Sequence, residues 1–310
     1  MDNSLHCCIC HEPVTPPYQT LGKRVYCAKH FATVNKPHFG FWRAGVLQIV
    51  AMAVFTLIVA VVADNLGELT QPALIALGVF LALVPTALWL FYFYRQDHLE
   101  PEPKTKIAQV FLLALLLTDA LGLRVIDDWL AFARWSTVNW QTSLLATILI
   151  VGFTYEAIKY ASVRLLVYAT DEFDERMDGI VYGTVAGLGV ATLLNLNHVI
   201  ANQGVALGAG VINVVTTALA QASFGGLMGY FLAQAKFEHK PVWWVPLGVA
   251  LAATLDGLFT WLIDEVSEVG LGVDPYRSLI LGLGVALATF AALIALMRRA
   301  RARTLAKSTS

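Results

Sequence analysis

Charge is what this sequence has least of: only 14% of its 310 residues are Asp, Glu, Lys or Arg, against 57% hydrophobic, and the mean hydropathy is +0.65. A water-soluble domain needs a polar surface that this composition does not supply, so soluble fold classes are excluded. Excess charge of either sign is also missing. With 21 basic and 22 acidic residues the net charge is -1, which removes the usual reason to expect a nucleic-acid partner. Cysteine is absent beyond Cys27, so the four cysteines act together within the first 30 residues or not at all. The opening MDNSLHCCIC lacks the basic-then-apolar order of a cleaved leader, and the N-terminus is expected to be retained. Internal repeats with matching broken helices, which a transporter built on inverted halves would show, are not found, although Pro85 and Pro246 are each expected to interrupt a span.

What is present is a series of apolar runs of about 20 residues, the length an α-helix needs to cross roughly 30 Å of hydrocarbon. There are about eight: near Ala44 to Ala63, Leu69 to Tyr94, Ile107 to Leu123, Thr142 to Ala169, Gly179 to Ile200, Gly208 to Ala235, Val242 to Ile263 and Ser278 to Met297. Arg124 to Trp135, with Trp129, Phe132 and Trp135 among charges, reads as an interfacial segment. The fold class is therefore an all-α polytopic membrane protein with a small N-terminal head. With the N-terminus inside, 17 of the 21 Lys and Arg fall on the inner side, 3 on the outer side, and Lys159 lies within the membrane. That bias puts both termini in the cytoplasm. The C-terminal Arg298, Arg299, Arg301 and Arg303 anchor this topology and would attract anionic lipid.

Cys7-x2-Cys10, sixteen residues, then Cys27-x2-His30 is the spacing of a four-ligand tetrahedral Zn(II) site, each pair presenting two ligands from one turn. Cys8 and His11 are alternative ligands, so Cys7 against Cys8 stays open. The intervening Pro13, Pro16, Pro17 and the turn-prone Gly22-Lys23 suit half of a LIM-like or zinc-ribbon module. A head of this size buries too little apolar surface to fold unaided, so metal would supply most of its folding energy. Four protein ligands close such a site to water, which makes the expected role structural. The expected domains are a head over residues 1–38, a helical membrane domain over 39–297 and a basic tail over 298–310.

Within the spans the ionisable residues stand out. Glu156 and Lys159 lie near the middle of the fourth, where a lone charge costs roughly 2.5–3.5 kcal/mol; three residues apart, they share a helix face. Asp256 in the seventh has no basic neighbour within a turn and needs a partner from another span. The fourth and seventh helices are therefore expected to converge on a shared polar interior. Gly179, Gly183 and Gly187 make a smooth stripe on the fifth span for close approach of another helix. Asn195, Asn197 and Gln221 can bond between helices, and His198 reads as an interfacial histidine.

Three blocks, the charged link Asp97-His-Leu-Glu100-Pro101-Glu102-Pro103, the Glu156-x2-Lys159 pair and Asp178-Gly-Ile-Val-Tyr182-Gly183, resemble the PrsW family of intramembrane proteases, within the superfamily of the CAAX prenyl endopeptidases. The resemblance covers about Tyr94 to Ile263. It implies catalytic positions at Glu156, Lys159, Asn195, Gln221 and Asp256. It also implies departures: the family's Glu-Glu-x-x-Lys reads Tyr155-Glu156-x-x-Lys159 here, its Glu-Asn reads Leu194-Asn195, and its two histidines read Gln221 and Asp256. The expected function is a family member that binds a transmembrane or membrane-associated partner, such as a single-span protein, without cutting it. Two alternatives stand beside it: an active protease using Glu156 and Asp256 as a carboxylate dyad, and an accessory subunit of a larger membrane complex or a transporter.

Overall fold

Among the described residues, eight helices are long and apolar enough to cross a membrane, which matches the count of apolar runs. The structure is a computed structural model; it describes residues 5–16, 18–21, 24–35, 41–65, 70–96, 101–201, 209–238, 240–268 and 275–306. The turn expected at Gly22-Lys23, Pro17, and Asp97 to Glu100 of the charged link lie outside the described residues.

The head comes first. Strands β1 (Leu5–His6) and β2 (Pro13–Val14) form one antiparallel hairpin, and β3 (Gln19–Leu21) and β4 (Arg24–Tyr26) a second, followed by the short helix α1 (Ala28–Val34). The first two spans are α2 (Phe41–Asn65) and α3 (Gln71–Gln96). Helix α4 (Lys104–Leu117) continues without a break as a π-helix over Thr118–Trp129, and α5 (Phe132–Trp135) follows it. The fourth span is made of α6 (Trp140–Ala146), a π-helical stretch Thr147–Gly152 and α7 (Phe153–Leu166). Helices α8 (Arg176–Ala201), α9 (Ala209–Phe237), α10 (Trp244–Glu268) and α11 (Pro275–Ala306) complete the bundle.

The helix of the third span runs on past Leu123 through Arg124 to Trp129. Nothing in that stretch breaks a helix, and the chain turns only where Ala131 adopts a left-handed φ of 44°. Neither proline interrupts its span. Pro85 sits inside the continuous α3, and Pro246 falls in the first turn of α10, where its missing N–H has no helical partner to lose.

Helices α8 and α9 form the centre of the bundle, and the glycine stripe explains how. A Cβ at Gly179, Gly183 or Gly187 would overlap the carbonyl oxygens of Gly229, Gly225 and Gln221 on α9. The facing stripe Gly225 and Gly229 carries the mirror-image constraint. With the two backbones this close, dispersion contacts replace the hydrophobic drive that lipid cannot supply. Helices α3 and α4 pack on α8, and α10 and α11 on α9. A second close crossing fixes the fourth span against the seventh: Gly152 lies against the Ala253 carbonyl, and Gly257 against the backbone of Ile148. The head packs at the end of the bundle where α11 finishes, with Tyr26 and Val34 against Leu305.

Candidate functional site

The Gly152 and Gly257 crossing brings α7 and α10 together, and their ionisable residues meet one another. Lys159 Nζ donates to Glu156 Oε1 at 2.5 Å and to Asp256 Oδ2 at 3.3 Å. Gln221 of α9 donates from Nε2 to the other Asp256 oxygen, Oδ1, at 2.7 Å. The Phe224 ring lies 5.7 Å from Lys159 Nζ, close enough for a cation–π contact. Glu156, Lys159 and Asp256 are all fully buried. The two spans converge on a shared polar interior, as the isolated charges require.

Of the five candidate positions, Glu156, Lys159, Gln221 and Asp256 are brought together, and Asn195 is not. Asn195 donates from Nδ2 to the Val214 carbonyl at 3.1 Å, a bond that fastens α8 to α9. The glutamate and the aspartate both lie within reach of the one Lys159 ammonium. Tyr155, where the family pattern has a second glutamate, is buried and packs toward Gly122.

In the head, Cys7, Cys10, Cys27 and His30 place their ligand atoms within 4.8 Å of one another, a group that could hold a metal. The Cys27 Sγ to His30 Nδ1 separation is 3.2 Å and Cys7 Sγ to His30 Nδ1 is 3.5 Å. His11, with φ 55°, makes the turn that closes the Cys7 to Cys10 knuckle and is not one of the four. Cys8 packs instead with Tyr26. Burial, which outweighs nearby Arg24, pushes the Cys8 thiol up to about 11. At Cys7 burial acts in the same direction, but the N–H groups of Cys27, Cys10 and Ile9 bring the thiol down to about 6. Thiolate is the ligand form, so of the two Cys7 is the better donor.

A third cluster escaped the reading of the sequence. Glu102 of the proline-broken link accepts a hydrogen bond from the Tyr182 hydroxyl at 2.5 Å and pairs with Asp178. Asp178 Oδ2 in turn accepts the backbone N–H of Asp174 at 2.7 Å and of Glu175 at 2.6 Å. The charged link and the glycine-rich block thus touch each other, 80 residues apart. Burial pushes the Glu102 carboxyl up to about 8, with Asp174 and Glu175 adding to the rise and Tyr182 and Asp178 opposing it. Nearby, Glu238 accepts from Arg176 at 3.0 Å and from Arg303 at 2.7 Å. Burial pushes its carboxyl up, yet these two guanidinium groups hold it below its usual range. The spacing of Asp178 and Tyr182, one turn apart on a single helix face, was the available signal.

These features define a multi-span membrane protein with a buried polar cluster, and the sequence places it in a family. The pattern of the PrsW family intramembrane metalloproteases matches residues 102–297, well over half of the chain, and the chain belongs to that family. The match ends within α11 and leaves the head outside. Among relatives, Protease PrsW of Bacillus subtilis (strain 168) is 29% identical over 202 residues, covering 63% of this chain and 85% of the relative. Protease PrsW of Geobacillus kaustophilus (strain HTA426) is 32% identical over 196 residues, covering 62% and 80%. Protease PrsW of Oceanobacillus iheyensis is 26% identical over 202 residues, covering 64% and 88%. No solved structure matches the chain.

Proposed function

We propose that this PrsW-family protein holds a transmembrane or membrane-associated partner and does not cut it. The observation that carries this reading is the position of Lys159 Nζ between Glu156 and Asp256 in a closed interior. Peptide hydrolysis needs a group to activate water, a means of polarising the carbonyl, and room for both water and substrate. Here the ammonium engages both carboxylates, and Gln221 takes the remaining aspartate oxygen. A metal in the core, which the family description implies, does not fit these residues. An ammonium cannot ligate, and Gln221 turns its donor nitrogen toward Asp256. The same geometry argues against the Glu156 and Asp256 dyad.

The head is read as a structural Zn(II) module over residues 1–38, ahead of the membrane domain over 39–297 and the basic tail over 298–310. Both termini are placed in the cytoplasm. The packing of Tyr26 on Leu305 supports a common side for the two ends, and the Lys and Arg bias supports which side that is. The partner is read as a single-span membrane protein.

Reconstituting the full chain in lipid vesicles with single-span test proteins checks the reading. The expected result is no cleavage product from the wild type or from Glu156→Gln, with equal co-purification of a bound span by the wild type in detergent. Cleavage by the wild type that Glu156→Gln abolishes would make the chain a protease and end the proposal.

A further inference from the structure

Strand β4 is one place where the head meets the membrane domain. On β4, Arg24 and Tyr26 are two residues apart and so project to the same side. Tyr26 is fully buried and packs with Leu305 of α11. Arg24 reaches into the link between α7 and α8, where its Nη2 lies 2.7 Å from Asp174 Oδ1 and 3.7 Å from Glu175 Oε2. Its side chain is only 14% exposed and that of Glu175 only 3%, whereas Asp174 is half exposed, so the contact spans the edge of the buried region.

The link so gripped is the segment that joins the two functional halves of the core. It runs from α7, which carries Glu156 and Lys159, to α8, which carries Asp178 and Tyr182. Three of the polar contacts that hold it matter here. Lys236 of α9 donates to the carbonyls of Tyr168 and Phe173, both at 2.7 Å. Asp178 accepts the N–H groups of Asp174 and Glu175. Arg24 pairs with the side chains of those same two residues. The first two belong to the membrane domain; the third is supplied by the head.

Strand β4 has little of its own to keep it in place. It pairs with three residues of β3 and, through the Val25 carbonyl, with the N–H of Cys8. Arg24 stands three residues before Cys27, and Cys8 follows Cys7, so both ties run into ligand positions. A module of this size owes most of its folding free energy to its metal. We propose that metal bound by Cys7, Cys10, Cys27 and His30 is what seats Arg24 on Asp174 and Glu175, so that the metal state of the head decides whether the link between α7 and α8 is clamped. This rests on the reading that the head binds metal.

The test is hydrogen exchange on the full chain in detergent, loaded with Zn(II) or stripped by a chelator, with metal content measured on the same samples. In the loaded protein the amides of Asp174 and Glu175 should exchange about tenfold more slowly than in the stripped one, while α9 peptides are unchanged. Arg24→Gln and, separately, Asp174→Asn should give the fast rate with Zn(II) still bound at one per chain; Asp174 is half exposed, so its replacement leaves the fold intact. If metal is bound but neither chelation nor either substitution alters the link, the clamp is wrong. If the chain holds no metal and the link is protected all the same, the metal reading of the head fails, and the clamp with it. Should stripping speed exchange everywhere, the loaded Arg24→Gln protein decides: fast exchange confined to the link upholds the proposal, and wild-type rates overturn it.

Discussion

The chain contains two charged networks that obey different rules. The knot in the membrane joins Glu156, Lys159 and Asp256 with Gln221, and its three ionisable groups are fully buried. The network at the head-side end joins Arg24, Asp174 and Glu175, and nearby Arg176, Glu238 and Arg303, with side-chain exposures ranging from 3% at Glu175 to 51% at Asp174. Water can replace a lost partner at the second and not at the first. A buried ion pair is therefore weak evidence for net stability and strong evidence for intolerance of single changes, whereas an exposed one is neither.

The largest expected effect tests that intolerance. Lys159→Met leaves two carboxylates buried without their counter-ion, and thermal unfolding in detergent should register about 3–5 kcal/mol of destabilisation. Adding Glu156→Gln and Asp256→Asn to the same chain should recover most of it, since the neutral set has no unpaired charge to bury. A Lys159→Met protein as stable as the wild type would show that the knot is hydrated and erase the distinction between the regions.

Glu102 lies between the two extremes and sharpens the comparison through pH. Its carboxyl is raised to about 8 in the folded protein from an ordinary 4.5, mainly by burial. The fold thus favours the protonated form, and the stability this contributes is complete below about pH 4.5 and lost as pH rises through about 8. Glu102→Gln keeps the neutral form at all pH values. Its melting temperature should exceed the wild type's by a few degrees at pH 8.5 and match it near pH 5; a constant difference across that range would mean that Asp178, Asp174 or Glu175 carries the proton instead.

The smallest effect belongs to Arg303, whose side chain is 49% exposed. Arg303→Ala should cost less than about 1 kcal/mol in the same melting assay, because Arg176 still holds Glu238 and solvent covers the rest. A loss approaching that of Lys159→Met would place the head-side network in the same class as the knot.

The sequence disclosed what hydropathy and isolation can disclose. Eight spans were legible because lipid requires long apolar helices, and Glu156, Lys159 and Asp256 were legible because a charge in such a helix needs a partner. Asn195 stands apart from that group: a mid-span amide can bond any neighbouring carbonyl, and here it bonds between helices to that of Val214. The Glu102, Asp178 and Tyr182 latch was hidden because charges near a loop look alike in sequence, and only folding brings residues 80 apart into contact. The π-helical stretches over Thr118–Trp129 and Thr147–Gly152 left no mark, since no residue type or spacing specifies the wider turn.

The seat of Tyr26 against Leu305 also sets an order of events during biosynthesis. Residues 5–35 are made before the surface they rest on, which follows about 270 residues later; at roughly 5–20 residues per second that is a wait of some tens of seconds. Over that interval the head has no membrane-domain surface to rest on. The seating of the head is thus completed only once α11 has been made.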